Sequence, residues 1–417
     1  MDSQYQAQTM LGPYRALDLT DEKGYICGKI LGDMGCDVIK IEKPGGDPGR
    51  NMGPFYKDIL NPEKSLYWFA FNTSKRGITL NIETDDGRKL FKQLVKSADF
   101  VIESFPPGYM DSIGLGYSEL NQVNEKISVA SITPFGDEGP YKNFKGSDLV
   151  GMALGGLMYP SGDPDRPPVT FSFPNAYFLS AAEAAVGLLM ALHWRWTTGK
   201  GTRVNTSLQT SVLEASYEVP LWWQASKFII KRTGPISQGI IKYRQIWQCK
   251  DGYLSFFFYG GLMGAAGNRA IVDWMDSEGF ECEHLKIIDW DSLDWSAVTQ
   301  EEATRMEEPL YEFFMSHTKA ECYEEAVKRD IILYPLSTIG DILKNPQLKA
   351  REYWTQVEHP DLNTDITYPG TFAKSSETFC GISRCAPLIG EHNREIYEEE
   401  LGLSMQEMST LKNANII

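Results

Sequence analysis

Few residues in this sequence are placed to do chemistry. The five histidines (193, 284, 317, 359 and 392) stand singly, with no HxxxH spacing and no paired Cys/His pattern, so a metal site has no support. No GxSxG turn is present to expose an activated serine. What remains are groups suited to an anion. Lys75 and Arg76, in NTSKRG (72–77), stand at the mouth of a strand, and Lys43 ends another strand just before GGDPGR. Strand ends in open α/β sheets are where ligands bind, so the three cations are candidates for phosphate contacts, and they equally read as a solvated charge cluster. The stretch GGLMGAAG (260–267) lies between a strand and a helix, where backbone N–H groups would meet an anion or where the chain simply turns.

The chain that must position these groups has 417 residues, 42% of them hydrophobic, which is enough for a sizeable core and suggests two domains. A net charge of −16 removes any global field for polyphosphate, so nucleic acid and anionic membrane are not expected partners and an anionic ligand needs a local basic patch. Seven scattered cysteines without a CxxC pair, and no signal-peptide pattern, point to a reducing, cytoplasmic setting. The longest apolar stretch, 184–192, falls well short of the ~20 residues of a membrane span and reads as a buried helix.

After a polar leader, YRALDLT (14–20), a helical stretch at 24–35 and CDVIKIE (36–42) form a strand, helix, strand unit. The alternation continues through GITLNIE (77–83), a helix opened by Thr84, DFVIESF (99–105) and ISVASITPF (127–135). This predicts an α/β fold with an open, Rossmann-like parallel sheet, yet no GxGxxG follows the first strand, so a dinucleotide enzyme is not expected. A helix over 180–198 should end at Gly199, and a second helical stretch follows, interrupted by Pro220. A hairpin turned at Asp251-Gly252 and acidic helices mark a smaller α+β domain. The expected division is 1–205 large domain, 206–231 helical linker, 232–345 small domain and 346–417 a C-terminal segment returning to the large domain. The last 25 residues read as one amphipathic acidic helix.

Six phrases in consistent order carry a resemblance: ALDLT…LGDMGCDVIKIEKPGGDPGR, NTSKRGITLNIETDDGRKL, ADFVIESFPPGYMDSIGLGYSELNQVN, ASITPFGDEGP, TTGKGTRVNTSL and APLIGEHNREIYEEELGL. Together they resemble the class III CoA-transferases, the formyl-CoA transferase and carnitine CoA-transferase family, from about residue 13 to 412. The resemblance implies an interlaced dimer of two-domain chains, no metal and no covalently bound cofactor, with a CoA thioester as substrate. With CoA as the ligand, the candidate contacts are the strand-end cations Lys43, Lys75 and Arg76 together with Asn72. In that family an aspartate attacks an acyl-CoA thioester to give an acyl-aspartyl anhydride, and an aspartyl-CoA thioester follows before the acceptor carboxylate takes the CoA.

Counted without a gap from Pro167-Pro168 to Gly201, the aspartate's position holds Tyr177, so no catalytic residue is assigned in this chain. A phenol of pKa ~10 is scarcely ionised at neutral pH and cannot carry an anhydride. Glu183 lies six residues on, facing the other way. The family's adenine-end motif is replaced by DEKGYIC, with Asp21 and Glu22 where anionic phosphates would approach, and FPPG (105–108) lacks the family's arginine. A chain that keeps the scaffold without the nucleophile is most simply the partner of a homologous catalytic subunit, in an interlaced heterodimer or heterotetramer. CoA would then be bound, in the limit, only by that partner. The acceptor implied is an aryl dicarboxylate, (R)-2-benzylsuccinate of anaerobic toluene degradation, with succinyl-CoA as donor; the aromatics at 221–228 and 255–261 suit an aryl group or a core. The alternatives are a self-sufficient transferase or acyl-CoA racemase, for which Asp148 is the available base, and a CoA-binding regulator without chemistry.

Overall fold

The computed structural model describes residues 9–236 and 241–417; the first eight residues of the leader and residues 237–240 of the expected small domain lie outside the described residues. Short runs rich in apolar and β-branched residues form six parallel strands, β1 (Arg15–Asp18), β2 (Asp37–Glu42), β3 (Lys75–Thr79), β4 (Phe100–Glu103), β5 (Ser128–Thr133) and β6 (Arg203–Ser207), ordered β3-β2-β1-β4-β5-β6. β1 to β5 are buried almost throughout, as parallel strands covered on both faces must be. The order reverses between β1 and β4, and their C-terminal ends open the crevice where such sheets bind ligands.

Helices α1 (Tyr25–Asp33), α2 (Leu66–Phe71), α3 (Asp85–Val95), α4 (Tyr117–Val123), α5 (Asp148–Leu154), α6 (Asn175–Thr198) and α7 (Leu208–Glu214) belong to the same unit. α3 starts where Thr84 Oγ1 accepts from Gly87 N–H, with Asp85 and Asp86 in the first turn. α6 ends as expected at Gly199, in the left-handed region at φ +75°. It has 24 residues, long and apolar enough to cross a membrane by length and composition. Its inward face (Ala181, Ala184, Ala185, Leu188, Leu192) is buried in the core with Val38, Phe100 and Ile132 of the sheet.

The first unit comprises the chain up to Leu157, Phe171–Tyr217 and Gln347–Ile417; the second comprises Met158–Thr170 and Glu218–Pro346. The C-terminal segment returns to the sheet: Tyr397 Oη donates to Thr79 O at 2.7 Å, and Asn81 N–H to Ile416 O at 2.7 Å. Its end is two pieces where one helix was expected. A widened turn over Arg394–Glu400 stops before Gly402 (φ +75°), and α12 (Met405–Asn413) restarts under a Ser404/Glu407 capping box. A hairpin β10 (Trp354–His359) and β11 (Thr364–Pro369) precedes it.

In the second unit, β7 (Ile246–Cys249), β8 (Gly252–Ser255) and β9 (Tyr334–Pro335) form an antiparallel sheet. It turns at Lys250-Asp251, one residue earlier than expected, and Asp251 Oδ1 accepts from the Lys319 N–H at 2.7 Å. Helices α8 (Glu218–Ser226), α9 (Gly261–Ser277), α10 (Gln300–Ser316) and α11 (Lys319–Arg329) complete it. Phe256, Phe258, Trp274, Phe313 and Phe314 are buried in its core. The aromatics at 255–261 are thus partly core, while Trp222, Trp223 and Phe228 stay exposed.

Candidate functional site

Tyr177 is the third residue of α6. Its N–H donates to Asp148 Oδ1 at 3.2 Å, and Ala176 N–H supports the same carboxylate. Asp148, first residue of α5, thus answers the unpaired N–H groups at the head of α6, where an anion is favoured. Half-burial still raises its carboxyl above the ordinary range. The Tyr177 phenol is pushed up to about 12, by burial first and then by the Glu22 and Asp21 carboxylates. At neutral pH about one such phenol in a hundred thousand is ionised.

Around it stand more acids and phenols. Glu22 is raised by burial and by Asp21 beside it. Asp21 receives the Ser104 hydroxyl at 2.8 Å and is paired with Lys23. The Tyr67 phenol is raised by burial, then by Glu22 and Tyr177. Phe178 meets Phe71 at 5.1 Å and Tyr67 meets Phe71 at 4.8 Å, so the cluster has an aromatic wall. Three carboxylates facing one cation make this a poor place for an anion. Glu183 points elsewhere, accepting from Ser211 on α7 and lying near Glu214.

The four expected CoA contacts separate. Lys43, just past the C-terminal end of β2, is 60% exposed at its side chain and pairs with Glu83 at 2.9 Å. Lys75 and Arg76 are the first two residues of β3, which corrects their reading as a strand-mouth pair: the strand begins two residues earlier than the apolar run suggests. Lys75 Nζ is fully buried and donates to Asp18 Oδ2 (2.8 Å), Tyr25 O (2.9 Å) and Asn72 Oδ1 (2.9 Å). Arg76 holds Asp37 in a two-pronged pair, with Glu395 and Glu400 each at 2.6 Å. Asn72, Lys75 and Arg76 are therefore spent on the protein itself.

What Lys75 holds is the loop carrying Asp21 and Glu22. Asp18 Oδ1 accepts from the Thr20 N–H (3.0 Å) and Thr20 hydroxyl (2.6 Å); Lys40 reaches Thr20 O and lies 3.7 Å from Asp18 and 3.6 Å from Asp47. Burial would raise the Asp18 carboxyl, but Lys75 and Lys40 overcome that and hold it below its ordinary value. Sequence reasoning missed this network. Its signal was there: Asp18 and Lys40 are charges inside strands buried on both faces, where a charge must be paired. From Gly261 the glycine-rich stretch is the opening of α9, with Gly260 as its N-cap, and Asn268 Nδ2 ties it to the irregular segment before it by donating to Tyr259 O at 2.8 Å.

Over residues 15–393 the sequence matches CoA-transferase family III. It is 34% identical over 390 residues to the succinyl-CoA:(R)-benzylsuccinate CoA-transferase subunit BbsE of Thauera aromatica, covering 93% of each chain. It is 27% identical to the succinyl-CoA–L-malate CoA-transferase beta subunit of Chloroflexus aurantiacus, covering 94% of each. A crystal structure of a CAIB/BAIF family protein from Brucella suis superposes with a TM-score of 0.81 at 27% identity, covering 94% of this chain and 99% of that one.

Proposed function

The chain belongs to CoA-transferase family III, and from that premise we propose that it is the subunit of a heteromeric CoA-transferase that lacks the acyl-carrying carboxylate. A homologous chain supplies the aspartate. The observation that carries this reading is Tyr177 at the head of α6, un-ionised and ringed by Asp148, Glu22 and Asp21, while Asp148 caps the helix and Glu183 is held by Ser211. Relatives named as subunits support the heteromer. So does the outer face of α6, where Val186 (57%), Met190 (69%) and Trp194 (52%) recur every four residues, exposed, as the apolar stripe a homologous partner would cover.

The donor is succinyl-CoA and the acceptor a dicarboxylate with an aryl group, (R)-2-benzylsuccinate, a reading supported by the Thauera relative's name and by the exposed Trp222, Trp223 and Phe228. Lys43 is the one expected phosphate contact still turned to solvent. The test is CoA transfer from succinyl-CoA to benzylsuccinate by this chain alone, by its homologous partner alone and by the pair. Activity is expected only in the pair, abolished when the partner's aspartate becomes alanine and retained in Tyr177→Phe. Turnover by this chain alone would overturn the reading and direct attention to Asp148 and Glu22.

A further inference from the structure

β4 ends in a carboxyl that the site around Tyr177 does not use. Glu103 is 7% exposed, and strand alternation sets it on one face of the sheet with its register neighbour Ser131 of β5 and with Arg203 of β6, the neighbour of Val129. All three line a cavity of about 20 Å³. Organic ligands need roughly 300 Å³ or more, so the charges here are answered within the protein.

Carboxyl groups outnumber cations around that cavity. Asp111, from the turn 109–112, and Asp137, from the loop after β5, line it with Glu103, and among the described residues Arg203 is the single cation in its lining. Tyr117 of α4 adds a phenol raised by burial. Glu119, on the same helix, brings Oε2 up to Gly116, where Asp111 Oδ1 also lies, and that oxygen is buried without a partner. Arg203 is spent on Asp137, Nη1 to Oδ2 at 2.8 Å, in a pair whose side chains are 39% and 24% exposed. Glu103 is left with the Phe105 N–H at 2.8 Å and the Ser131 hydroxyl. Burial first, with Asp111 adding to it, raises its carboxyl to about 7 against the pull of Ser131, Phe105 and Arg203.

The two carboxylates differ in what they gain from the guanidinium. Asp137 is partly in water, where an ion pair is weak; an ionised Glu103 has lost its water and gains most from a neighbouring cation. We propose that Glu103 and Asp137 compete for Arg203 and that the proton on Glu103 decides between them: protonated, it leaves Arg203 to Asp137, which anchors the loop 136–147; ionised, it draws Arg203 inward and frees that loop. The loop runs directly into Asp148, the cap of α6 beside Tyr177, so the proton on Glu103 sets how firmly that cap is held. The switch needs no partner subunit, so its failure and that of the subunit reading are separable.

The test is limited trypsin digestion of the full chain, read by mass spectrometry at Lys142 and Lys145 in the exposed part of the loop, 138–145. Rates are divided by those of a short peptide of residues 138–150, which removes the protease's own pH dependence. Cleavage of a gated loop follows its open population, and for a carboxyl that ionises near 7 that population rises about tenfold from pH 6 to pH 8.5. Glu103→Gln should stay at the slow rate at both pH values; Asp137→Asn, which has lost the anchor, should be fast at both. Ser131→Ala removes a hydrogen bond that favours the ionised form, so it should move the midpoint of the rise to higher pH, and it serves where Glu103→Gln does not fold. A parent rate that is flat in pH, a rise that persists in Glu103→Gln, an unmoved midpoint in Ser131→Ala, or an Asp137→Asn chain as slow as the parent at pH 6 would each overturn the proposal.

Discussion

Two groups of charge sit on either side of the short loop after β1, and they are built on opposite terms. On the inner side Asp18, Lys40, Lys75 and Asp47 alternate in sign; the first three are fully buried, and each has a partner of the other sign or a backbone group. On the outer side Asp21, Glu22 and Asp148 share a sign and are only half-buried, and among the described residues Lys23 is the one cation paired with them. The inner group is the kind that cannot lose a member without cost, because an unpaired charge in a dry interior has nowhere to find solvent. The outer group tolerates imbalance because water reaches it. The difference lies in what each group does: the inner one holds the loop, and the outer one presents carboxylates of one sign.

The sharpest way to break this comparison is to remove one inner cation. Lys75→Met should leave Asp18 buried and under-neutralised and drop its bonds to Tyr25 O and Asn72, costing about 3–5 kcal/mol in urea unfolding. Lys43→Met, which breaks the exposed pair with Glu83, should cost about 0–1 kcal/mol in the same assay. Equal losses would show that burial does not distinguish the two groups.

A smaller intrusion acts through space alone. Gly28 of α1 passes so close to the inner group that a Cβ there would overlap Asp18 Oδ2 and lie 3.0 Å from Lys75 Nζ. Neither atom can retreat without breaking its pair. Gly28→Ala should therefore destabilise by about 1–3 kcal/mol from overpacking, against a helix-propensity gain of about 1 kcal/mol. A net gain in the unfolding midpoint would mean the network is softer than its bond lengths imply.

The parallel sheet was legible because its strands are apolar runs alternating with helical periods, and α6 because its small inward residues and Gly199 mark a face and an end. The expectation that Tyr177 stands where the family has its aspartate came from resemblance alone, and the structure places that residue at the head of α6. What could not be read is where side chains of residues distant in sequence converge. Lys75 and Arg76 look alike as neighbours in NTSKRG, yet strand alternation sends one inward to Asp18 and the other to Asp37, Glu395 and Glu400, residues 39 to 324 positions away. The excursion of 158–170 into the second unit likewise depends on contacts with later chain, such as Arg232 Nη1 to Tyr159 O at 2.8 Å, which no local pattern encodes. The last 25 residues are not one helix because Gly402 takes the left-handed region between two pieces, a break that an amphipathic stripe does not display.

The smallest effect is the most discriminating for the outer group. Glu22 has its carboxyl raised in the folded chain by burial and by Asp21, so folding there favours the protonated form. For a carboxyl raised above its unfolded value the sign is fixed: below the unfolded pKa, about 4.3, both states are protonated and the residue has no titration cost. As pH rises through the unfolded pKa toward the raised one, the unfolded state gives up its proton first and stability falls; above the raised pKa the loss is complete and constant. Glu22→Gln removes the titration, so the variant should be slightly more stable than the parent at neutral pH, with the advantage fading as pH falls toward 4. Paired urea titrations across that range measure it. A variant less stable at pH 7 would mean that Glu22 is answered by a cation, and that the cluster around Tyr177 is balanced after all.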